Sequence, residues 1–174
     1  NAAQDLLRTL KQAGIRVKMD EMDQSPGWKF NEWEMRGVPI RLEIGPKDME
    51  AGQAVLVRRD THEKTAYPME GLADNIAKML SSIHDNMLHQ AMLHRDAHIF
   101  RANDKQEVLQ AVDAQKGFAF SPWCGQRSCE EALKAQHGIS SRCMPFEHQH
   151  EADGKLCALC GKPATTMIYW ARSY

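Results

Sequence analysis

The chain has 174 residues, of which 43% are hydrophobic and 26% are charged, so its composition is that of an ordinary globular protein with one large or two small domains. The formal net charge of -1 argues against a surface that is positively charged overall and binds nucleic acid non-specifically. Any nucleic acid must therefore be held by a local group of residues. No signal peptide is recognised, and no apolar run approaches the roughly 20 residues of a membrane helix.

The first residues predict a helix followed by strands. Apolar residues keep helical spacing up to Gly14, and residues 15–19 then alternate like a strand. A short helix is expected over residues 28–36, and its aromatic side chains fit core packing better than base stacking. The alternation of residues 40–44 predicts a half-buried strand. That strand is expected to display Arg41 on its exposed face.

The next segment predicts one more strand and a long helix. A mostly apolar run over residues 54–57 predicts a strand that leads into a charged turn at residues 58–64. From Met69 onward, apolar residues hold the helical period for about five turns. This helix is expected to close the first structural unit.

A second helix-and-strand unit is predicted to follow. Strands are expected near residues 99–102, 118–120 and 165–171, and a short helix over residues 129–136. Asn103 is a predicted N-cap, with a helical apolar face after it. The chain therefore reads as alternating α and β structure throughout.

Four cysteines in this second part carry the strongest chemical signal. They form a C-x4-C pair and a C-x2-C pair, namely Cys124, Cys129, Cys157 and Cys160. Two such pairs suit a structural tetrahedral zinc ion, and disulfides are the less favoured alternative. His148 and His150 are alternative ligands near the second pair. Cys143 has no close partner in sequence and is expected to be a small buried hydrophobe.

The chain resembles the C-terminal part of prolyl-tRNA synthetases. The resemblance is carried by the segment GWKFNEWEMRGVPIRLEIGPKDM, the charged turn RRDTHEK, the four cysteines and the ending Arg172-Ser173-Tyr174. It covers almost the whole chain. The four-cysteine extension is similar to that of the archaeal and eukaryotic-like form of the family, which some bacteria also have.

The resemblance implies an α/β fold in two domains. Residues 1–95 are expected to form an anticodon-binding domain, with a mixed sheet flanked by helices, its first strand missing, and a long closing helix. Residues 96–174 are expected to form a smaller α/β zinc-binding domain.

The resemblance also implies four RNA-binding residues, namely Glu34, Arg41, Lys47 and Lys64. In the family the corresponding residues contact the proline anticodon, which ends in two guanines. A carboxylate can accept from guanine N1–H and N2–H, and a guanidinium can donate to O6 and N7. His62 stands where the family often has glycine, so the charged turn is expected to be less tight.

The resemblance implies that the parent protein is a cytoplasmic, homodimeric ligase that attaches proline to its tRNA using ATP. No membrane is expected among its partners. No catalytic residues are expected here, because ATP and proline would bind in an upstream class II catalytic domain. The terminal carboxylate of Tyr174 is expected to dock near that domain's site. The alternatives are another class II aminoacyl-tRNA synthetase and a zinc-stabilised protein-interaction module.

Overall fold

Helices and strands alternate along the chain, which the computed structural model describes over residues 2–114 and 116–172. The first elements are α1 (Ala2–Gln12), α2 (Pro26–Met35), β1 (Ile40–Glu43), α3 (Pro46–Glu50), β2 (Gln53–Arg58), β3 (Lys64–Pro68) and α4 (Leu72–Ala97). The later elements are β4 (Ile99–Arg101), α5 (Lys105–Leu109), a π-helical turn (Gln110–Ala114), β5 (Phe118–Trp123), α6 (Arg127–His137), β6 (Ile139–Ser141), a 3-10 helix (Phe146–Ala152) and β7 (Thr166–Arg172). The predicted α/β class is confirmed.

The chain divides into two compact units, Asn1–Gln90 and Ala91–Tyr174, and the division falls within α4. Tyr174, for which a docking role is predicted above, lies outside the described residues. Within the described ranges, no helix is both long and apolar enough to cross a membrane.

The first unit is built on a three-stranded antiparallel sheet in the order β1-β2-β3. One face of β2 buries Ala54 and Leu56 completely. The core on this face joins side chains from α1, β2 and α4, namely Leu10, Ala54, Leu56, Leu72, Ile76, Met79 and Ile83. These α4 residues recur every three or four positions, so the helix buries one apolar stripe.

The strand predicted over residues 15–19 is not formed among the described residues. Exposure does alternate along it, and Ile15 and Val17 pack against the core. An alternating pattern reports which side chains are buried, but a strand also needs a neighbour for its backbone hydrogen bonds. Conversely, the prediction missed β3, which pairs with β2 along its length.

The second unit contains a four-stranded sheet in the order β4-β5-β7-β6, in which β4 and β5 are parallel and the other pairs antiparallel. Trp170 on β7 is fully buried on one face, where its Nε1 donates to Ser121 Oγ at 2.9 Å. Phe120 and Met167 are buried in a smaller cluster with Ala152 of the 3-10 helix.

Two local features fix the backbone before α5 and before β5. The N-cap of α5 is Asp104, whose carboxylate accepts from Glu107 N at 2.9 Å, so the prediction of Asn103 is wrong by one residue. Gly117 precedes β5 where a Cβ atom would lie 2.4 Å from the carbonyl oxygen of His98. Only glycine allows the chain to approach His98 this closely.

Candidate functional site

Helix α2 begins and ends at well-defined residues. Ser25 is the N-cap and accepts from Trp28 N, Pro26 occupies the first turn, and Gly37 follows the helix with a φ of 80°. Trp33 is half-buried and donates from Nε1 to Asp20 Oδ2 at 2.7 Å. The predicted core packing does not hold for Trp28, which is 45% exposed.

The register of the first sheet brings together residues that are distant in sequence. Arg41 on β1 is opposite Val57 on β2, and Val57 is opposite Lys64 on β3. Glu43 lies two residues beyond Arg41, so its side chain projects from the same face of the sheet. Val57 is only 7% exposed on this face, because the charged side chains and α2 cover it.

The Arg41 guanidinium is held on three sides. Its Nε donates to Glu43 Oε1 and its Nη1 donates to Glu34 Oε1, both at 2.9 Å. The Phe30 ring lies under the guanidinium at 3.8 Å, a cation–π contact. The Arg41 side chain is 22% exposed, so it lies on the predicted face but is partly covered by these partners. Fixing a long side chain before binding reduces the entropy lost when a ligand arrives.

Glu43 joins two of the three predicted RNA-binding cations. Its Oε1 accepts from Arg41, and its Oε2 accepts from Lys64 Nζ at 2.6 Å. Burial alone would raise the pKa of Glu43, but the hydrogen bonds from Lys64 and Arg41 outweigh it and hold the pKa below its ordinary value. Glu43 was not predicted as a site residue. Its only sequence signal is its alternation with Arg41.

Lys47 stands apart from this network. It lies exposed on α3, and its ammonium group has no polar partner within the described part of the chain. Its helix is fixed by Asp48, whose carboxylate accepts from Gly45 N at 3.0 Å. The structure therefore connects Glu34, Arg41 and Lys64 through Glu43, and leaves Lys47 free to meet an acceptor.

The β2–β3 turn contains a residue in the left-handed backbone conformation that is not glycine. His62 takes a φ of 59°, and Lys64 follows it as the first residue of β3. Arg58 N donates to Glu63 O at 2.9 Å and closes the turn. The substitution of histidine for glycine therefore leaves a left-handed turn, at the conformational cost of a side chain in that region.

The linked charges leave specific edges free. Arg41 uses Nε and one Nη1 hydrogen, so Nη2 has no partner among the described residues. Glu34 engages one oxygen and is about one-third exposed, so its second oxygen can still accept. The linked side chains of Glu34, Arg41, Glu43 and Lys64 have no net charge, because two carboxylates balance two cations. Such a group can read donors and acceptors on a base without acting as a general anion trap.

The four predicted metal ligands come together in the second unit. Their sulfur atoms all lie within 4.8 Å of one another, and Cys124 Sγ lies 3.6 Å from Cys129 Sγ and 3.7 Å from Cys160 Sγ. These separations exceed the roughly 2.05 Å of a disulfide bond, and the cysteines are free thiols. The cluster can therefore hold a metal ion.

Each cysteine pair is positioned by a short turn. Cys124 follows β5 directly and Cys129 lies in the first turns of α6. In the second loop, Cys157 N donates to Lys162 O at 2.7 Å and Gly161 N donates to Cys157 O at 2.9 Å. Cys157 is 3% exposed, so its thiolate would need a cation nearby.

The thiols of the cluster differ in acidity. Burial raises the pKa of Cys129 and of Cys157, whereas the backbone N–H of Lys162 is the main cause that lowers the pKa of Cys160 to about 7. A bound cation favours the thiolate at all four positions. The site thus combines one thiol whose pKa is lowered by a backbone hydrogen bond with two thiols whose pKa is raised by burial.

Other candidates in this unit are not part of the cluster. Cys143 is exposed, so the expectation of a small buried hydrophobe is wrong. His148 pairs with Glu151 at 2.9 Å instead of joining the cysteines. Hydrogen bonding from Arg101 is the main cause that lowers the pKa of Glu151 to about 2.

Comparisons with known proteins agree across both units. Residues 1–79 match the family model described as anticodon binding domain, and residues 105–174 match the model described as prolyl-tRNA synthetase, C-terminal. The chain is 48% identical over 164 residues to a proline–tRNA ligase of Lachnoclostridium phytofermentans, covering 94% of this chain and 34% of the relative. It is 50% identical over 159 residues to a proline–tRNA ligase of Clostridium novyi, covering 91% and 33%.

A proline–tRNA ligase 2 of Bacillus cereus is 48% identical over 159 residues, with 91% of this chain and 33% of the relative covered. The chain thus spans about a third of the length of the curated relatives it matches.

Proposed function

Because the chain belongs to the prolyl-tRNA synthetase family and matches its C-terminal, anticodon-binding part, we propose that it recognises the anticodon of proline tRNA. The first unit performs this recognition and the second unit binds a structural metal ion. The parent enzyme attaches proline to its tRNA using ATP, and both small substrates bind in a class II catalytic domain outside this chain.

The observation that carries the proposal is the convergence of Glu34 and Arg41. Their side chains meet at 2.9 Å, although one residue lies on a helix and the other on a strand. A guanine offers N1–H and N2–H to the free oxygen of Glu34, and O6 and N7 to the free edge of Arg41. Adenine offers neither set, because its N1 is an acceptor and its N6 is a donor.

The two lysines contact acceptors on the same RNA. Lys47 is exposed and its ammonium group has no polar partner among the described residues, so it suits a phosphate or a base acceptor. Lys64 is 58% exposed while it contacts Glu43, so it can donate further hydrogen bonds from the same ammonium group. Phe30 supports Arg41 from below instead of stacking on a base.

The cysteine cluster binds zinc in this proposal. Four thiolates at about 2.3 Å from a tetrahedral zinc ion lie about 3.8 Å from one another. The separations of 3.6 Å and 3.7 Å from Cys124 Sγ support this fit. When bound, zinc supplies a cross-link between the β5–α6 turn and the loop of Cys157 and Cys160. Four protein ligands leave no open position for catalysis, so the role is structural.

The parent protein is a homodimer of the cytoplasm in this proposal. The support is the identity of 45% to 50% with proline–tRNA ligases along this third of their length. Size-exclusion chromatography of the full-length parent protein, with light scattering, measures whether it is a dimer.

A titration of the 174-residue chain tests anticodon recognition. Fluorescence anisotropy measures the affinity for an anticodon stem-loop RNA in which the two guanines are kept or both changed to adenine. Changing both should weaken binding by roughly 2 to 6 kcal/mol in total, at about 1–3 kcal/mol per base. Arg41 reads one of the two guanines, so replacing it with Ala should remove about 1 to 3 kcal/mol of this preference, and the altered loop should bind the variant about as well as it binds the wild type. Equal losses on both RNAs would refute a base-reading role for Arg41.

A further inference from the structure

A cavity of about 300 Å³ lies in the first unit. It is lined by Pro39 before β1, by two residues after β2 and by part of α4, namely Arg59, Asp60, Ile83, Asn86, Met87 and Gln90. Beside it is a smaller cleft, whose lining includes Glu34, Arg41 and Val57. Arg59 borders both the cavity and the cleft. None of the predicted RNA-binding residues lines this cavity, so the anticodon contacts proposed above leave it unused.

The polar wall of the cavity is rigid. Arg58 donates from Nε and Nη2 to the two oxygens of Asp60 at 3.0 Å and 2.8 Å, and the Asp60 side chain is only 3% exposed. Asn86 Nδ2 on α4 donates to Asp60 Oδ2 at 2.8 Å. A carboxylate at neutral pH only accepts, so the orientation of the Asn86 amide is fixed. Its Oδ1 is therefore a fixed acceptor on the cavity wall.

Arg59 supplies the donor. Its backbone N–H donates to Pro39 O at 3.0 Å, and its side chain is half-buried near Gly37. Its guanidinium has no hydrogen bond or ion pair among the described residues, whereas the neighbouring Arg41 and Arg58 are both paired with carboxylates. A partly desolvated guanidinium without a partner is available to a ligand acceptor.

The remaining lining favours a flat ligand with an apolar face. Ile83 is 3% exposed at the floor and Met87 is 48% exposed at the rim, so apolar contact is available to a ring. The charge of the Asp60 carboxylate in the wall is balanced by its ion pair with Arg58. Exposed Gln90 adds an amide that can donate or accept. An unpaired donor, a fixed acceptor and an apolar surface together match the edge and face of an unstacked nucleobase.

We propose that this cavity receives the base of a nucleotide next to the guanine pair, with Arg59 and Asn86 on its edge. The inference rests on the proposed anticodon recognition and extends it to a third nucleotide. Arg59 lies between the two sites, so a base held in the cavity would continue directly from the guanine read by Arg41. The protein then contacts three bases of the anticodon loop instead of two.

The test measures coupling between Arg59 and that base. Fluorescence anisotropy compares three stem-loop RNAs, each with both guanines: an intact loop, a loop abasic at the 5′ neighbour of the pair, and a loop abasic at the 3′ neighbour. Each RNA is titrated with the wild-type chain, Arg59→Met and Gln90→Ala. Arg16→Met is the matched control, because Arg16 is exposed and has no polar partner among the described residues. Methionine keeps the apolar stem of each arginine.

The expected result is specific to one neighbour. Arg59→Met weakens the intact loop roughly tenfold, removal of one neighbouring base weakens the wild type by a similar factor, and the two losses do not multiply. Gln90→Ala, a change on an exposed helix face, shows the same coupling with a smaller loss. Arg16→Met lowers the affinity of all three loops by one common factor. A common factor for Arg59→Met on all loops, or no loss at all, overturns the inference.

The outcome also separates this inference from the proposed function. If the wild-type chain discriminates against loops with altered guanines but shows no coupling to Arg59, only the cavity assignment fails. If altered guanines bind equally well, the proposed anticodon recognition itself fails.

Discussion

Glu43 offers the sharpest test of how the charged network works, because it is predicted to position Arg41 without touching the RNA. It holds Arg41 Nε at 2.9 Å and Lys64 Nζ at 2.6 Å. Glutamine has the same size and can still accept one hydrogen bond, so Glu43→Gln removes the charge with little change in shape. The four linked side chains then carry one net positive charge.

The structure predicts two effects of opposite sign. Loss of the Glu43 charge loosens Arg41, and ordering such a side chain on binding costs about 1 kcal/mol, or about fivefold in guanine discrimination. At the same time, one negative charge disappears near the RNA backbone. At roughly 8 Å in water this charge repels a phosphate by about 0.5 kcal/mol, so any RNA should bind about twofold more tightly at low salt.

The assay is anisotropy titration of stem-loops with both guanines kept or both changed to adenine, at two salt concentrations. Glu43→Gln should bind the altered loop more tightly than the wild type does, while the ratio between the two loops falls. Glu70→Gln is the matched control, since Glu70 is exposed beyond the far end of β3 and has no polar partner among the described residues. An unchanged ratio for Glu43→Gln, or equal weakening on both loops, would refute the positioning role.

Three further predictions concern stability and metal binding. The hydrogen bond from Arg58 holds the pKa of Asp60 well below its usual range near 3.8, so the ion pair stabilises the fold above about pH 4 and less as the pH falls through the folded-state pKa. Asp60→Asn should therefore lower the free energy of unfolding at neutral pH by roughly 2 kcal/mol and flatten its acid dependence, measured by urea denaturation. Gly117→Ala should cost more than about 2 kcal/mol in the same assay, because the added Cβ would meet His98 O. Cys129→Ser should abolish bound zinc measured by atomic absorption and lower the thermal midpoint, as a strong chelator does, whereas Cys143→Ser outside the cluster should keep about one zinc per chain.

Much of the fold was predictable because local patterns governed it. The apolar period of α4 and the alternation of β1 report burial directly, and burial is what the core requires. The prediction failed where hydrogen-bond partners decided the outcome. Residues 15–19 alternate in exposure but have no hydrogen-bonded neighbouring strand among the described residues. Strand β3 forms because β2 lies beside it.

The candidate site was predicted as a set of residues but not as a network. The family motif indicated Glu34, Arg41 and Lys64, and the structure adds that Glu43 connects them. The register of β1, β2 and β3 places Arg41 and Lys64 on either side of Val57, and no local pattern specifies that register. The exposure of Cys143 was mispredicted for a similar reason, because burial depends on what packs over a residue.

The amino-acid sequence alone determined the α/β class, the four metal-ligand candidates and the resemblance that points to the proline anticodon. These depend on composition, short spacing and motif, which are local properties of a chain. Only the tertiary structure decided that the four sulfur atoms meet, that Arg41 is held by two carboxylates and an aromatic ring, and that a polar cavity lies beside it. The physical reason is that contacts between side chains far apart in sequence depend on strand register and helix packing, which the whole fold sets.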